Sequence, residues 1–175
     1  MYVLKKFDKR YLSVYKECFS DILWVSNFGF NQVSFDLNKY LEESVLTVYP
    51  TVKRIILLNK EDYPLAFSHL CFNEHNCVVV GGIIPPLLNK GKGVTLAAIV
   101  YDYLFRYHPK LRKVTITVLV SNSPSLRMNI KLGFKISGRS TISDVGEKHT
   151  MVLLRDAFPN QFARDLLERV EYEVC

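Results

Sequence analysis

The sequence predicts a mixed α/β (α+β) domain built around a largely antiparallel sheet, and three observations lead there. Short β-rich runs of five to eight residues recur along the chain, most of them separated by tight turn signals. Between them lie stretches whose apolar residues repeat with the helical period. Only the strands that flank the middle helices need run parallel. The 175 residues are 49% apolar, enough for one sizeable core, and no repeat, linker or low-complexity tract divides them, so residues 1–175 are read as a single domain.

Taken in order, Tyr2 to Lys6 is a first strand. Tyr11, Val14, Tyr15, Cys18, Phe19 and Ile22 then share one helical face. Trp24 to Gln32, with Gly29 and two asparagines, reads as a loop. A second helix places Leu37, Tyr40, Leu41, Ser44, Val45 and Val48 on one stripe and stops at Pro50. Arg54 to Leu58 and Leu65 to Phe72 are strands joined by a polar turn. Asn73 to Asn76 turns the chain into Cys77 to Ile84, an apolar run expected to be a buried central strand. After the loop Leu87 to Gly93, a helix carries Val94, Ala97, Ala98, Tyr101, Leu104 and Phe105 and ends at His108-Pro109. Val114 to Val120 is a strand. Ser123, as N-cap, and Pro124 then open a short helix that Gly133 closes. Phe134 to Ile142 and Lys148 to Arg155 form a hairpin around Asp144-Val145-Gly146. A last helix after Pro159 buries Phe162, Leu166, Leu167, Val170 and Val174, giving about seven strands in all.

Composition narrows the function classes. No apolar run reaches the roughly 18–20 residues of a membrane span, the N-terminus lacks a leader pattern, and four cysteines without a CxxC pair read as reduced thiols. A cytoplasmic protein, monomer or homodimer, with no membrane partner is expected. The formal charge of +6 lies wholly in the second half: Lys90, Lys92, Arg106, Lys110, Arg112, Lys113, Arg127, Lys131, Lys135 and Arg139 stand against Asp102 alone. Such a field attracts a phosphorylated cofactor, nucleic acid or an acidic surface. His69-x-Cys71 and His75-x-Cys77 offer four metal-type ligands, but an i, i+2 spacing on both arms is unusual for structural zinc, so no metal is expected.

The loop Asn89-Lys90-Gly91-Lys92-Gly93-Val94-Thr95 joins the apolar strand to the long helix. A helix start leaves about four N–H groups unpaired, and its dipole favours an anion. Glycines let the backbone close on a phosphate. Walker A spacing fails because Pro86 stands where a glycine is needed and Gly93 where Ser or Thr is needed. The dinucleotide fingerprint fails at Leu96. About thirty residues later, Asn122-Ser-Pro-Ser125-Leu-Arg127 runs on to Leu132-Gly133-Phe134.

Together these two segments resemble the Gcn5-related N-acetyltransferase (GNAT) superfamily. Its acetyl-CoA loop has the form Q/R-x-x-G-x-G/A, and a later segment has the form N-x-x-S-x-R…L-G-F. The second form resembles the ribosomal-protein alanine N-acetyltransferase branch. The resemblance spans roughly Leu65 to Phe158. It implies a GNAT-like sheet flanked by helices, acetyl-CoA as co-substrate and transfer of an acetyl group to a primary amine by direct attack in a ternary complex. The acceptor would be a small-molecule amine or a protein N-terminus. On this basis Asn89, Lys90, Gly91, Lys92, Gly93, Val94 and Thr95 would hold the pyrophosphate. Val80, Gly82 and Ile83 would line the pantetheine arm, which Asn122 and Ser125 would also meet.

Two positions depart from the pattern. Leu88 stands at the Gln/Arg position, and Asn129 stands where many members have an acidic tyrosine. Proton donation then passes to Ser125 or to a water relay. His69, Glu74 and His75 are the candidate bases, with His69 favoured because an imidazole accepts a proton near neutral pH. Trp24, Phe28 and Phe30 are the aromatic residues expected near the acceptor. A non-catalytic CoA-binding module and a basic nucleic-acid-binding domain are the alternative functions, nucleic acid being the less expected.

Overall fold

Alternation along the strands sends successive side chains to opposite faces of one sheet, and each face buries its own core. The computed structural model describes residues 1–31, 33–142 and 145–175. Its strands are β1 (Tyr2–Lys6), β2 (Val52–Asn59), β3 (Pro64–Asn73), β4 (Asn76–Ile83), β5 (Lys113–Leu119), β6 (Lys135–Ile142), β7 (Gly146–Leu154) and β8 (Tyr172–Val174). They form one sheet in the order β6-β7-β5-β4-β3-β2-β1-β8. The pairs β4–β5 and β1–β8 are parallel; the other neighbours are antiparallel.

In β2, Ile55 and Leu57 face one core while Ile56 and Leu58 face the other. The first core is covered by α4 (Lys92–Tyr107), α5 (Ser123–Lys131) and α6 (Gln161–Leu167). The second is covered by α1 (Leu12–Ser20), α2 (Ile22–Phe28) and α3 (Leu37–Tyr40), the last widening into a π-helical turn over Leu41–Leu46. Tyr15, Phe19, Trp24 and Phe67 fill this second core with ring-on-ring contacts.

The structure corrects the sequence reading in several places. Trp24 to Gln32 is not all loop: Asp21 caps Trp24 N at 2.8 Å, and α2 runs on to Gly29, which closes it at φ 91°. The cap and the glycine were both legible, but aromatic residues on several faces of so short a helix hide its period. Gln32 lies outside the described residues. Val48, expected on the α3 stripe, is exposed because the chain turns extended at Thr47. The last helix ends at Leu167, Phe162 is exposed, and Tyr172–Val174 pairs with β1 as an eighth strand. Val170, Tyr172 and Val174 alternate with a period of two, which the helical stripe had absorbed. Finally, β4 is buried only in its first half, as described below. In the β6–β7 hairpin, Asp144 lies outside the described residues.

One cation ties the end of α4 to the sheet. Arg155, just after β7, donates from Nε to Leu111 O (2.6 Å), from Nη1 to Phe105 O (2.7 Å) and from Nη2 to His108 O (2.6 Å). These carbonyls lie at and just beyond the end of α4, where the helix dipole is negative. Charge-assisted bonds of this kind are about twice as strong as neutral ones. Arg155→Ala is expected to lower unfolding stability by about 3 kcal/mol, read as a lower urea midpoint at unchanged slope, while Arg155→Lys recovers only part of it.

Candidate active site

The sheet opens at its centre. β4 and β5 pair over only three positions, Asn76↔Lys113, Cys77↔Val114 and Val78↔Thr115. Beyond them β4 stays on β3 and β5 stays on β7. The consequence is visible in burial: Val80, in the middle of a central strand, is 40% exposed, and Gly81 is exposed. This overturns the expectation of a strand buried throughout.

Hydrogen-bond alternation identifies which backbone groups the opening frees. Ile84 N–H donates to Leu65 O, so the even-numbered residues of β4 turn their polar groups toward β3. His75 O, at the other end, accepts from Arg112 and Lys113 N–H on the β5 side. Val79, Gly81 and Ile83 therefore face the opening. Val80 and Gly82, expected to offer main-chain contacts there, do not; their backbone is used by β3.

Both glycines are demanded by packing. A Cβ on Gly81 would lie 2.5 Å from Phe67 O, and one on Gly82 would lie 2.3 Å from the Trp24 ring. Trp24 lies over Gly82 and donates from Nε1 to Ile83 O at 2.7 Å. At 4% exposure it is a core residue that closes the end of the opening, not a surface contact. Phe28 stacks on it at 4.8 Å and is half-buried. Phe30 continues the aromatic series outward and lines a groove of about 280 Å³ with Phe35, Asp36, Tyr40 and Glu43.

The two sequence segments meet at the open end. After β4, a turn at Pro85–Leu87 leads to Asn89 (φ 59°) and Gly91 (φ 70°), both left-handed, and Gly91 is the residue from which α4 starts. Gly91 has no side chain with which to cap that helix, so among the described residues its first N–H groups, on Lys92, Gly93 and Val94, lack the usual intrahelical and capping partners. Asn89, Lys90 and Lys92 are exposed around it, and Thr95 is buried in the first turn. A Cβ on Gly93 would lie 3.5 Å from Ile83 and 3.6 Å from Met128 of α5, so loop, β4 and α5 converge there. A larger depression, about 730 Å³, lies behind the loop and reaches it only through Leu87 and Lys92.

On the β5 side, Asn122 rather than Ser123 caps α5, accepting from Ser125 N at 3.3 Å. A side-chain amide satisfies that donor while Pro124 occupies the second helical position. Asn122 Nδ2 also reaches Asn27 O of α2 at 3.5 Å. Asn129, which sequence reasoning noted only as a missing tyrosine, is 2% exposed and fully bonded. It accepts from the Tyr101 hydroxyl at 3.1 Å and donates to Ser125 O at 2.9 Å and Ser125 Oγ at 3.3 Å.

The candidate bases do not gather at this end. Glu74 sits at φ 47° in the β3–β4 turn with His75, whose Nδ1 contacts Lys110 O at 3.0 Å. That turn is at the paired end of β4, and Gly82 lies six strand residues beyond Asn76, about 20 Å along the strand. His69 lies opposite the exposed Val80, but its ring is buried and its Nε2 is 2.9 Å from the Tyr15 hydroxyl. Burial, aided by the Arg54 charge, lowers its pKa from 6.5 to about 4. An imidazole that weak is a poor acceptor for an ammonium proton. Cys77 is buried on the α4 side, away from His69, so the four metal-type residues do not converge. The sequence reading passed over His149, buried opposite Val118, with no partner for Nδ1 among the described residues.

No protein-family model and no curated protein sequence matches the chain. Solved structures do. The spermidine N-acetyltransferase of Vibrio cholerae, in complex with CoA and spermine, superposes with a TM-score of 0.73 at 16% identity, covering 91% of this chain and 98% of that one. The aminoglycoside acetyltransferase AAC(6')-Ib, with ribostamycin and coenzyme A, gives 0.74 at 19% identity over 91% and 97%. An uncharacterized protein from Bacillus halodurans gives 0.77 at 11% identity over 95% and 91%. The chain has the GNAT fold. The parted strands and the start of α4 lie at one end of the sheet. Among the described residues, no helix is long and apolar enough to cross a membrane.

His69 gives this region a pH signature. Its folded pKa lies below its unfolded value, so the unfolded chain binds the proton first and stability falls as pH drops from 6.5 toward 4. The full shift corresponds to about 3 kcal/mol. Denaturation from pH 7.5 to 4 is expected to show this loss, and His69→Gln is expected to flatten that part of the profile.

Proposed function

We propose that the protein is an acetyl-CoA-dependent N-acetyltransferase acting on a primary amine. The observation that carries the reading is the bare edge of β4, beside an uncapped helix start, in a chain with the GNAT fold. An extended amide-bearing ligand satisfies a free strand edge as an added strand would. The pantetheine arm of CoA is such a ligand, and its two amides match the groups of Gly81 and the N–H of Ile83, whose carbonyl Trp24 already occupies. Its pyrophosphate suits the N–H groups of Lys92, Gly93 and Val94 and the left-handed turn at Gly91, with Lys90 and Lys92 adding charge.

In this reading the arm runs from the loop back along β4, toward Gly81 and Val79. An N–H of that edge then donates to the thioester oxygen as it gains negative charge, the interaction that lowers the barrier most in acyl transfer. The amine enters on the face of Val80, beside Phe28 and below His69. It attacks the carbonyl carbon directly, with no acyl-enzyme. His69 shapes the wall and does not serve as the base; a solvent-connected route for the amine proton suits the geometry better. Bound amines in two structural neighbours, spermine and ribostamycin, support an amine acceptor. The sequence resemblance to the ribosomal-protein branch adds a protein N-terminus to the range.

Two measurements test this. Thiol release from acetyl-CoA is expected to depend on an added amine, across a panel of polyamines, aminoglycosides and peptides with free N-termini. Acetyl-CoA binding without turnover on any of them would instead mark a cofactor-binding module. Gly93→Trp, which fills the space between Ile83 and Met128, is expected to reduce acetyl-CoA affinity by at least ~10-fold, a cost of about 1.4 kcal/mol, with an unchanged far-UV spectrum. Undiminished affinity by titration calorimetry would sink the assignment.

A further inference from the structure

We infer that Tyr101 and Asn129 are positioning residues that aim the Ser125 hydroxyl at the leaving sulfur. This rests on the acetyltransferase reading and on the Ser125 role that the sequence resemblance implies, and adds to them the buried residues that orient that hydroxyl.

The argument is one of hydrogen-bond directions. Tyr101, buried on α4, donates its hydroxyl to Asn129 Oδ1 at 3.1 Å. Asn129 has two N–H bonds and uses both on Ser125, one to the backbone oxygen and one to Oγ. An amide holds no spare proton and does not ionise, so Asn129 is not itself an acid. What it does is occupy a lone pair of Ser125 Oγ. A helical serine ordinarily turns its O–H back onto a carbonyl one turn earlier. Ser125 Oγ makes no such bond, and its O–H has no acceptor among the described residues. The hydroxyl therefore accepts from inside the fold and keeps its donor for something outside it.

Its place defines what that is. Ser125 lies in the first turn of α5, immediately beyond the end of β5, where β4 and β5 have parted. Met128 of the same helix lies against Gly93 and so fixes α5 to the loop. Donation from Tyr101 polarises the Asn129 amide, and donation from Asn129 polarises the serine O–H, each bond strengthening the next.

The step balances without a charged acid. The amine nitrogen forms a bond to the acyl carbon, and the C–S bond breaks with its electron pair remaining on sulfur. Ser125 O–H hydrogen-bonds to that sulfur while its charge develops. The proton lost by nitrogen leaves to water, water later protonates the thiolate, and the serine is unchanged.

The test is a cycle of variants assayed for kcat, KM and acetyl-CoA affinity. Ser125→Ala is expected to lower kcat by roughly 10²-fold and leave acetyl-CoA affinity within about two-fold. Tyr101→Phe combined with Asn129→Leu replaces both buried partners by apolar groups of similar shape, which protects the fold. It is expected to lower kcat by roughly 10-fold in the Ser125 background and by nothing further in the Ser125→Ala background. Tyr101→Phe alone is the milder variant and is expected to give a smaller drop in kcat. Effects that add across the cycle, a fall in acetyl-CoA affinity instead of kcat, or an unchanged kcat in every variant would overturn the inference. If the unmodified chain binds acetyl-CoA but turns over no amine, the parent reading has failed, and this one with it.

Discussion

Three residue pairs hold β4 to β5, and then the two strands separate. In the middle of an eight-stranded sheet this is costly, because the polar groups of Val79, Gly81 and Ile83 lose their ladder partners where a strand would normally supply them. The fold meets that cost partly from within: Trp24 satisfies Ile83 O, and Gly82 leaves room for the indole to do so. In the proposed enzyme the remaining groups are left to the cofactor. Everything that makes the site, from the loop at Gly91 to the cap at Asn122, lies at the end where the separation is widest.

The helices are arranged to keep the strands apart. α4 starts at the end of β4 and is clamped at its far end by Arg155. α5 starts at the end of β5 and is tied to α4 through Asn129 and Tyr101. Across the other face, α2 reaches from Gly82, under Trp24, to Asn122 through the Asn27 carbonyl. A wedge held on both faces keeps its opening without a ligand, and a preformed site binds with less ordering cost.

Much of this was legible in the residues. The order of seven strands and the loop–helix junction followed from apolar periodicity, glycine positions and caps, which act locally. The two motifs were visible as spacings, but that they meet was not, since the contact between Gly93 and Met128 joins residues 35 positions apart. In composition and periodicity alone the opening was hidden, for a clear reason. Val78, Val79 and Val80 look the same in sequence whether a neighbour covers them or not, so an exposed central strand reads as a buried one. Which residues of β4 face the opening depends on register, set by the Ile84–Leu65 bond, and the expectation for Val80 and Gly82 was one residue out of phase. Period-two alternation over three residues was too short to separate β8 from the helix before it.

Trp24 is the sole tryptophan of the chain, and its indole N–H is bonded to a carbonyl of the open strand edge. Indole emission is sensitive to the field and hydrogen bonding at that nitrogen. In the enzyme proposed above, the protein thus carries an intrinsic fluorophore wired to the strand edge that the cofactor would line, with ten tyrosines as the competing phenols. Selective excitation of that ring turns the structural plug at the end of the cleft into an optical gauge of its filling, without a label and without altering a residue.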